Sequence, residues 1–305
     1  MIDSPRGGIQ HDSHDEVLFD MRKNIQTPAV GISGSRMKIG RQAHRASAIS
    51  TSNEAAILVR GHDLCEELIG RISFTEHVWL LVTGELASEA QRRVLDAVLV
   101  AIAEHGMVPS VQAARMTLAA APEALQGAVA AGLLGCGSVI LGAAEDAGHL
   151  LQETVTRAGA NKSMREAARE VVREYRAAQR AIPGYGHPLH KDHDPRALRL
   201  LAVADELGVR GRYTDAAQAI ELVLPEITGK PLAMNISGAI PATLLDAGYP
   251  LLALRGAPLL ARTASLIAHL LEERARPIGF VLSHAGAMAV DYDGPKPEGF
   301  VASDQ

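Results

Sequence analysis

Hydrophobic positions along the chain recur at helical rather than strand spacing. The clearest run lies between residues 161 and 181, where Met164, Ala167, Ala168, Val171, Val172, Tyr175 and Ala178 share one face and charged side chains the other. Ser163 and Glu166 stand at capping-box spacing at its start. Pro183, Gly184 and Gly186 end it, with Ile182 as the last helical position. The same start signature recurs at Ser73 with Glu76, and at Ser88 with Gln91 ahead of a helix running to Glu104. Helical periodicity returns over 196–207, 214–224 and 257–273, the last with Leu259, Leu260, Ile267, Leu270 and Leu271 on one side. A short extended stretch begins at Ile57, but no strand ladder is expected. The pattern predicts an all-α, multi-helix bundle.

Residues 1–25 lack periodicity and read as an N-terminal arm. Polar breaks bound a small helical domain at 160–252, leaving 26–159 and 253–305 for a large one. Residues 127–144 form an eighteen-residue stretch without formal charge, but five of its positions are glycine. A buried core helix fits that composition better than a membrane span. Aromatic residues make up only 3% of the chain, as suits closely packed helices. A net charge of −5 without a basic run argues against nucleic acid as a partner. The opening MIDSPRGGIQHDSHDE lacks the basic start and apolar stretch of a secretory signal, so a reducing cytoplasmic location is expected. Cys65 and Cys136 read as two buried thiols, Trp79 as core packing, and His149 and His269 as core or helix-end histidines.

Chemistry concentrates in GYGHPLHKDHDPRA at 184–197. His187, His190 and His193 with neighbouring aspartates raise the question of a metal, yet their spacing matches no familiar ligand motif, and no metal is expected. Gly184 and Gly186 around Tyr185 would let backbone approach a ligand, while a histidine and an arginine supply a neutral donor and a fixed cation. A turn with solvated charges accounts for the same residues equally well.

This segment resembles the citrate synthase superfamily, whose members carry G-[FY]-G-H followed by D-P-R; here Gly184, Tyr185, Gly186 and His187 are followed by Asp194, Pro195 and Arg196. Three further segments are similar to family text: ILVRGHDLCEELIGRISFTEHVWLLVTGELAS at 57–88, NISGAIPATLLDAGYP at 235–250 and ARTASLIAHLLEERARP at 261–277. Together they span roughly 50–280. The resemblance implies a citrate-synthase-like helical fold with large and small domains, assembled as a homodimer or a higher oligomer. Its substrates would be a CoA thioester and a small polycarboxylate, with CoA or acetyl-CoA as substrate or product and no tightly bound cofactor. His187 would polarise the oxaloacetate portion, and His105, Arg196 and Arg262 would hold its carboxylates. Arg276 resembles an arginine that reaches the site from the other subunit. Gly184, Tyr185, Gly186 and Lys191 would approach the CoA. Guanidinium forks suit this task because they bind carboxylates through two parallel charge-assisted hydrogen bonds.

Departures from the family pattern sharpen the expectation. Ile140 stands where synthases carry the histidine of "HGG", and GLLGCGSVILGAA resembles instead the "GLLTIGxRFGGA" of citryl-CoA lyases and of the lyase part of ATP-citrate lyase. Ser237 occupies the place of the catalytic aspartate of "NVD", and a serine hydroxyl is no resting base. Another carboxylate, such as Asp246 or Asp291, would have to serve. Pro188 follows His187 where an arginine is usual. The resemblance therefore implies citryl-CoA cleavage to acetyl-CoA and oxaloacetate. The alternatives are a citrate or 2-methylcitrate synthase, and a catalytically impaired homologue that still binds CoA or polycarboxylate.

Overall fold

Three serines start helices where the sequence places them. In the computed structural model, which describes residues 46–137, 142–186 and 192–300, Ser73, Ser88 and Ser163 each accept from the backbone N–H three residues on. Glu76, Gln91 and Glu166 return a bond to the cap's own N–H, and each such cap contributes about 1 kcal/mol. The chain divides into two units, 1–47 and 48–305. The expected arm at 1–25 lies outside the described residues, and the fold is that of the second unit.

A small antiparallel sheet comes first, β1 (Ser50–Ser52), β2 (Ile57–Val59) and β3 (His62–Asp63), in the order β1-β2-β3. The helices follow: α1 (Phe74–Thr83), α2 (Glu89–Ala103), α3 (Pro109–Ala120), α4 (Leu125–Cys136), α5 (Gly142–Ala158) and α6 (Met164–Ala177). The rest are α7 (Pro195–Glu206), α8 (Arg212–Thr228), α9 (Ile236–Asp246), α10 (Gly256–Ala275) and α11 (Gly279–Met288). The fold is all-α, as expected, with the sheet as a minor addition that strand patterning did not reveal. Its strands are two or three residues long, too short to show a period of two.

Most of the core gathers around α9. From Ile236 to Leu245 every residue but Ser237 is buried, packed by α2, α5, α7 and α8. Val94, Leu95 and Val98 of α2, Leu150 and Leu151 of α5, and Ile220, Val223 and Leu224 of α8 belong to this cluster. Trp79 is also in it, its ring 5.4 Å from that of Tyr249. A second cluster joins α3, α4 and α10 through Val111, Ala114, Leu118, Ala128, Leu266 and Leu270. There α4 and α10 approach so closely that a Cβ on Gly132 would meet Leu266 at 2.8 Å.

Several details differ from the sequence reading. The stretch 127–144 is not one helix: α4 ends at Cys136, Gly137 turns the backbone to φ 53°, and α5 resumes at Gly142. Helix α6 stops at Ala177 rather than Ile182, because Gln179 takes φ 55° and the Arg180 N–H closes back on the Tyr175 carbonyl at 2.8 Å. Cys136 is buried but Cys65 is exposed, on a π-helical turn (Leu64–Leu68) that buries only Leu68. His149 is exposed on α5. Among the described residues, the one helical run long and apolar enough to cross a membrane is Leu251–Ala275 rather than the segment at 127. Its Leu266 and Leu270 pack into the second cluster.

Candidate active site

A proline at the first helical position and an aspartate before it begin α7 by ordinary helix chemistry. Asp194 caps the helix, its Oδ1 accepting from the Arg196 N–H at 3.0 Å. The Arg196 side chain then folds back onto the same carboxylate, Nε to Oδ1 at 3.0 Å and Nη2 to Oδ2 at 2.9 Å. A fourth donor comes from elsewhere in the chain: the N–H of Ile236, first residue of α9, reaches Oδ2 at 3.0 Å. Asp194 is only 1% exposed. Burial pushes its carboxyl upward, but Arg196 and the two N–H groups outweigh that and hold it below the usual carboxylate range.

The glycine-tyrosine-glycine run is splinted to the same helix start. Residues 184–186 lie antiparallel to 233–235: Asn235 N–H donates to the Gly184 carbonyl (2.9 Å) and Gly186 N–H to that of Ala233 (2.7 Å). Asn235 Nδ2 donates to the Gly186 carbonyl at 2.6 Å, while its Oδ1 caps α9 by accepting from Ser237 N–H at 2.9 Å. Gly184, at φ 87°, is pressed against α9 itself, where a Cβ would stand 2.7 Å from the Gly238 Cα. Tyr185 is a core side chain whose hydroxyl donates to the Ala217 carbonyl at 2.7 Å. Gly186 is therefore held at a fixed point beside the first turn of α9, where Ser237 is half-buried. His187, Lys191 and Ile140 lie outside the described residues.

Two other predicted residues lie in the electrostatic neighbourhood of Arg196. Arg262, on α10, is only 3% exposed, and neither its Nε nor its Nη1 has a hydrogen-bond partner among the described residues. Burial lowers its pKa, Cys136 and Glu104 favour its charge, and Arg196 opposes it. His105 follows the end of α2 and interacts electrostatically with Arg196, Arg262, Asp194 and Glu104. Burial lowers its pKa first and the two guanidiniums lower it further, against the two carboxylates. The site therefore offers an imidazole biased toward its neutral form in the field of two cations.

Glu104 escaped the sequence reading. Its Oε1 accepts from Gly106 N–H at 2.5 Å, and its Oε2 accepts from the Ser265 hydroxyl and faces His269 Nε2 at 3.0 Å. Burial raises its pKa, but these partners prevail and keep it below the ordinary value. The signal was available: Arg262, Ser265 and His269, spaced i, i+3, i+7, put three polar groups on one face of an apolar helix.

Arg276 does not join them. It is 78% exposed, ion-paired with Glu272, and fourteen positions beyond Arg262, roughly 21 Å along the helix. Behind it, buried Arg115 of α3 donates from Nε to Glu273 (2.6 Å), from Nη1 to Glu272 (2.9 Å) and from Nη2 to the Arg276 carbonyl (3.1 Å). Asp246 is also engaged elsewhere, capping α8 by accepting from Gly211, Tyr213 and Thr214 N–H groups, each at 2.9 Å. Asp291 is exposed near the C-terminus. A groove of about 510 Å³ between α2 and α7, lined by Ala97, Val100, Pro195 and Leu200, borders the site through Arg196.

Among the described residues, an all-α fold brings a buried guanidinium, two of its nitrogens without a hydrogen-bond partner, into the electrostatic neighbourhood of an imidazole and a second guanidinium. The chain belongs to the citrate synthase family: the sequence model for "Citrate synthase, C-terminal domain" matches residues 87–278. The structure of citryl-CoA lyase from Hydrogenobacter thermophilus is similar at 32% identity and a TM-score of 0.75, over 84% of this chain and 97% of that one. ATP citrate lyase from Methanothrix soehngenii, in complex with citrate and coenzyme A, shares the fold at 21% identity and a TM-score of 0.67, over 99% of this chain but only 47% of that one. Citrate synthase from Thermotoga maritima shares it at 22% identity and a TM-score of 0.56, over 76% of this chain and 60% of that one. A search of curated protein sequences found no match.

Proposed function

We propose that this protein is a carbon–carbon lyase of the citryl-CoA lyase type, cleaving citryl-CoA to acetyl-CoA and oxaloacetate. The observation that carries this reading is Arg262, a nearly inaccessible cation with two nitrogens that find no hydrogen-bond partner among the described residues, grouped electrostatically with His105 and Arg196. Burying a charge with hydrogen bonds left unmade costs several kcal/mol, a cost that a bound carboxylate offsets. The 32% identity to a citryl-CoA lyase across nearly all of that chain supports the choice of substrate.

In this reading Arg196 and Arg262 hold the carboxylates of the oxaloacetate portion, His105 donates to them, and His187 polarises the carbon that becomes the ketone. The backbone at Gly184–Gly186 and the Lys191 ammonium approach the CoA, which is substrate or product rather than a resident cofactor. Cleavage removes the tertiary hydroxyl proton; the O–H electrons become the ketone π-bond, and the C–C pair passes to a thioester enolate that is then protonated. The protein works as a homodimer in the cytoplasm, with Arg276 serving the site of the other copy.

The test is to incubate the protein with citryl-CoA, and separately with acetyl-CoA plus oxaloacetate, while following acetyl-CoA, oxaloacetate and free CoA. Release of acetyl-CoA and oxaloacetate from citryl-CoA is the expected result. A second reading, a binding homologue with impaired catalysis, draws on Ser237 at the base position and on the engagement of Asp246 at α8. Measurable citrate or CoA binding without turnover in either direction would select it.

A further inference from the structure

Cleavage of a tertiary alcohol needs a carboxylate or its equivalent near the hydroxyl, and Ser237 provides none. Among the described residues two carboxylate side chains are buried, Glu273 and Asp194. Glu273 is committed to Arg115 and to the N–H groups of Ile278 and Gly279 at the far end of α10. Asp194 is at the site. Its Oδ2 stands 3.0 Å from the N–H of the residue immediately before Ser237, which bond geometry places within about 8 Å of the Ser237 Cα. It also acts electrostatically on His105. Its present partner is Arg196, held through two hydrogen bonds, and Arg196 is one of the two cations assigned to the substrate.

We infer that Asp194 is the base that replaces the missing aspartate, and that substrate binding releases it: a substrate carboxylate displaces Asp194 from Arg196, and the freed carboxylate accepts the tertiary hydroxyl proton. This rests on the lyase reading. While Arg196 is paired with it, Asp194 is a poor proton acceptor; losing that partner to a second carboxylate raises its proton affinity when substrate is in place. Atoms and charge balance. The hydroxyl O–H breaks toward Asp194, the oxygen keeps the pair and becomes the ketone, and the C–C bond breaks toward the thioester. The enolate takes a proton to give acetyl-CoA, and Asp194 returns its own to solvent. The N–H groups of Arg196 and Ile236 keep Asp194 in position throughout.

The experiment uses the full chain with Asp194→Asn, which keeps one acceptor oxygen for the helix cap but removes the charge and turns the atom facing the Ile236 N–H into a donor, and Ser237→Asp in both backgrounds. Oxaloacetate binding is read by calorimetry and citryl-CoA cleavage by product release. Asp194→Asn is expected to bind oxaloacetate at least about threefold more tightly, because Arg196 loses an internal competitor. It should cleave at least about a hundredfold more slowly, and adding Ser237→Asp should recover at least about tenfold. Weaker binding together with a lower melting temperature would overturn the inference in favour of a purely structural aspartate. Turnover within about threefold of the parent would overturn the base assignment. If Asp194→Asn does not fold, Asp194→Glu decides: moving the carboxylate by one methylene should lower kcat at least about tenfold with KM little changed, and an unchanged kcat rejects the assignment. A parent protein that does not cleave citryl-CoA defeats the lyase reading and the base role together. Tighter binding by Asp194→Asn would then still establish the exchange of partners at Arg196.

Discussion

Arg262 shows most directly how a residue can be unfavourable for folding and useful for binding. Its guanidinium is removed from water without a full set of partners among the described residues, so replacing it with methionine of similar length should stabilise the empty protein by about 1–3 kcal/mol. The same change should abolish stabilisation by citrate, which for the parent reaches about 2.7 kcal/mol at a hundredfold excess over Kd. Thermal melts with and without citrate check both signs, and a variant that melts lower when empty but keeps the citrate shift would contradict the site. His105 makes a different demand. Its folded pKa lies below the ordinary 6.5, so the unfolded chain takes up its proton first as pH falls. Stability should drop as pH descends through 6.5 and level off once the folded value is passed. His105→Asn should therefore lose less melting temperature than the parent between about pH 7.5 and 5.5.

Among the elements, α9 determines where the motifs meet, and two glycines determine how closely. A Cβ on Gly238 would lie 2.6 Å from the Gly184 carbonyl oxygen and 2.9 Å from the Met234 side chain. Gly238→Ala should cost about 1–3 kcal/mol in denaturant melts and loosen the approach to position 187, so any turnover should fall further than stability alone explains. A melt within error of the parent would contradict this packing. The sequence made the capped helices legible because Ser73, Ser88 and Ser163 announce themselves locally. It did not make α9 legible: a helix buried on nearly every side carries no polar face for a periodicity to detect. The glycines of 184–186 were read as room for a ligand, whereas Gly184 makes room for α9, a distinction that depends on a contact 54 residues away in the chain. Arg196 and Arg262 were found through motif resemblance. Asp194 was quoted in the same motif but given no role, and Glu104 was not singled out, because an acidic residue at a helix end looks the same whether it faces water or an arginine.

At the scale of the molecule, the proposed reading asks Arg262 and Arg276, far apart on one helix, to hold one substrate. Arg262 is buried near His105, while Arg276 is exposed roughly 21 Å further along the same helix, held by Glu272 and with its carbonyl fixed by Arg115. A straight helix does not bring its two ends to one small anion, so Arg276 can serve the polycarboxylate only in a second copy's site. A twofold dimer in which each site takes Arg262 from one chain and Arg276 from the other has a measurable consequence. Arg262→Ala and Arg276→Ala homodimers should each be inactive toward citryl-CoA. After subunit exchange of an equal mixture, half of the dimers are mixed, and each of these holds one site with both arginines intact and one with neither. Activity should then return to about a quarter of the parent value. No recovery, with exchange confirmed by mass, would mean that Arg276 acts within its own chain or not at all, and the shared site would have to be abandoned.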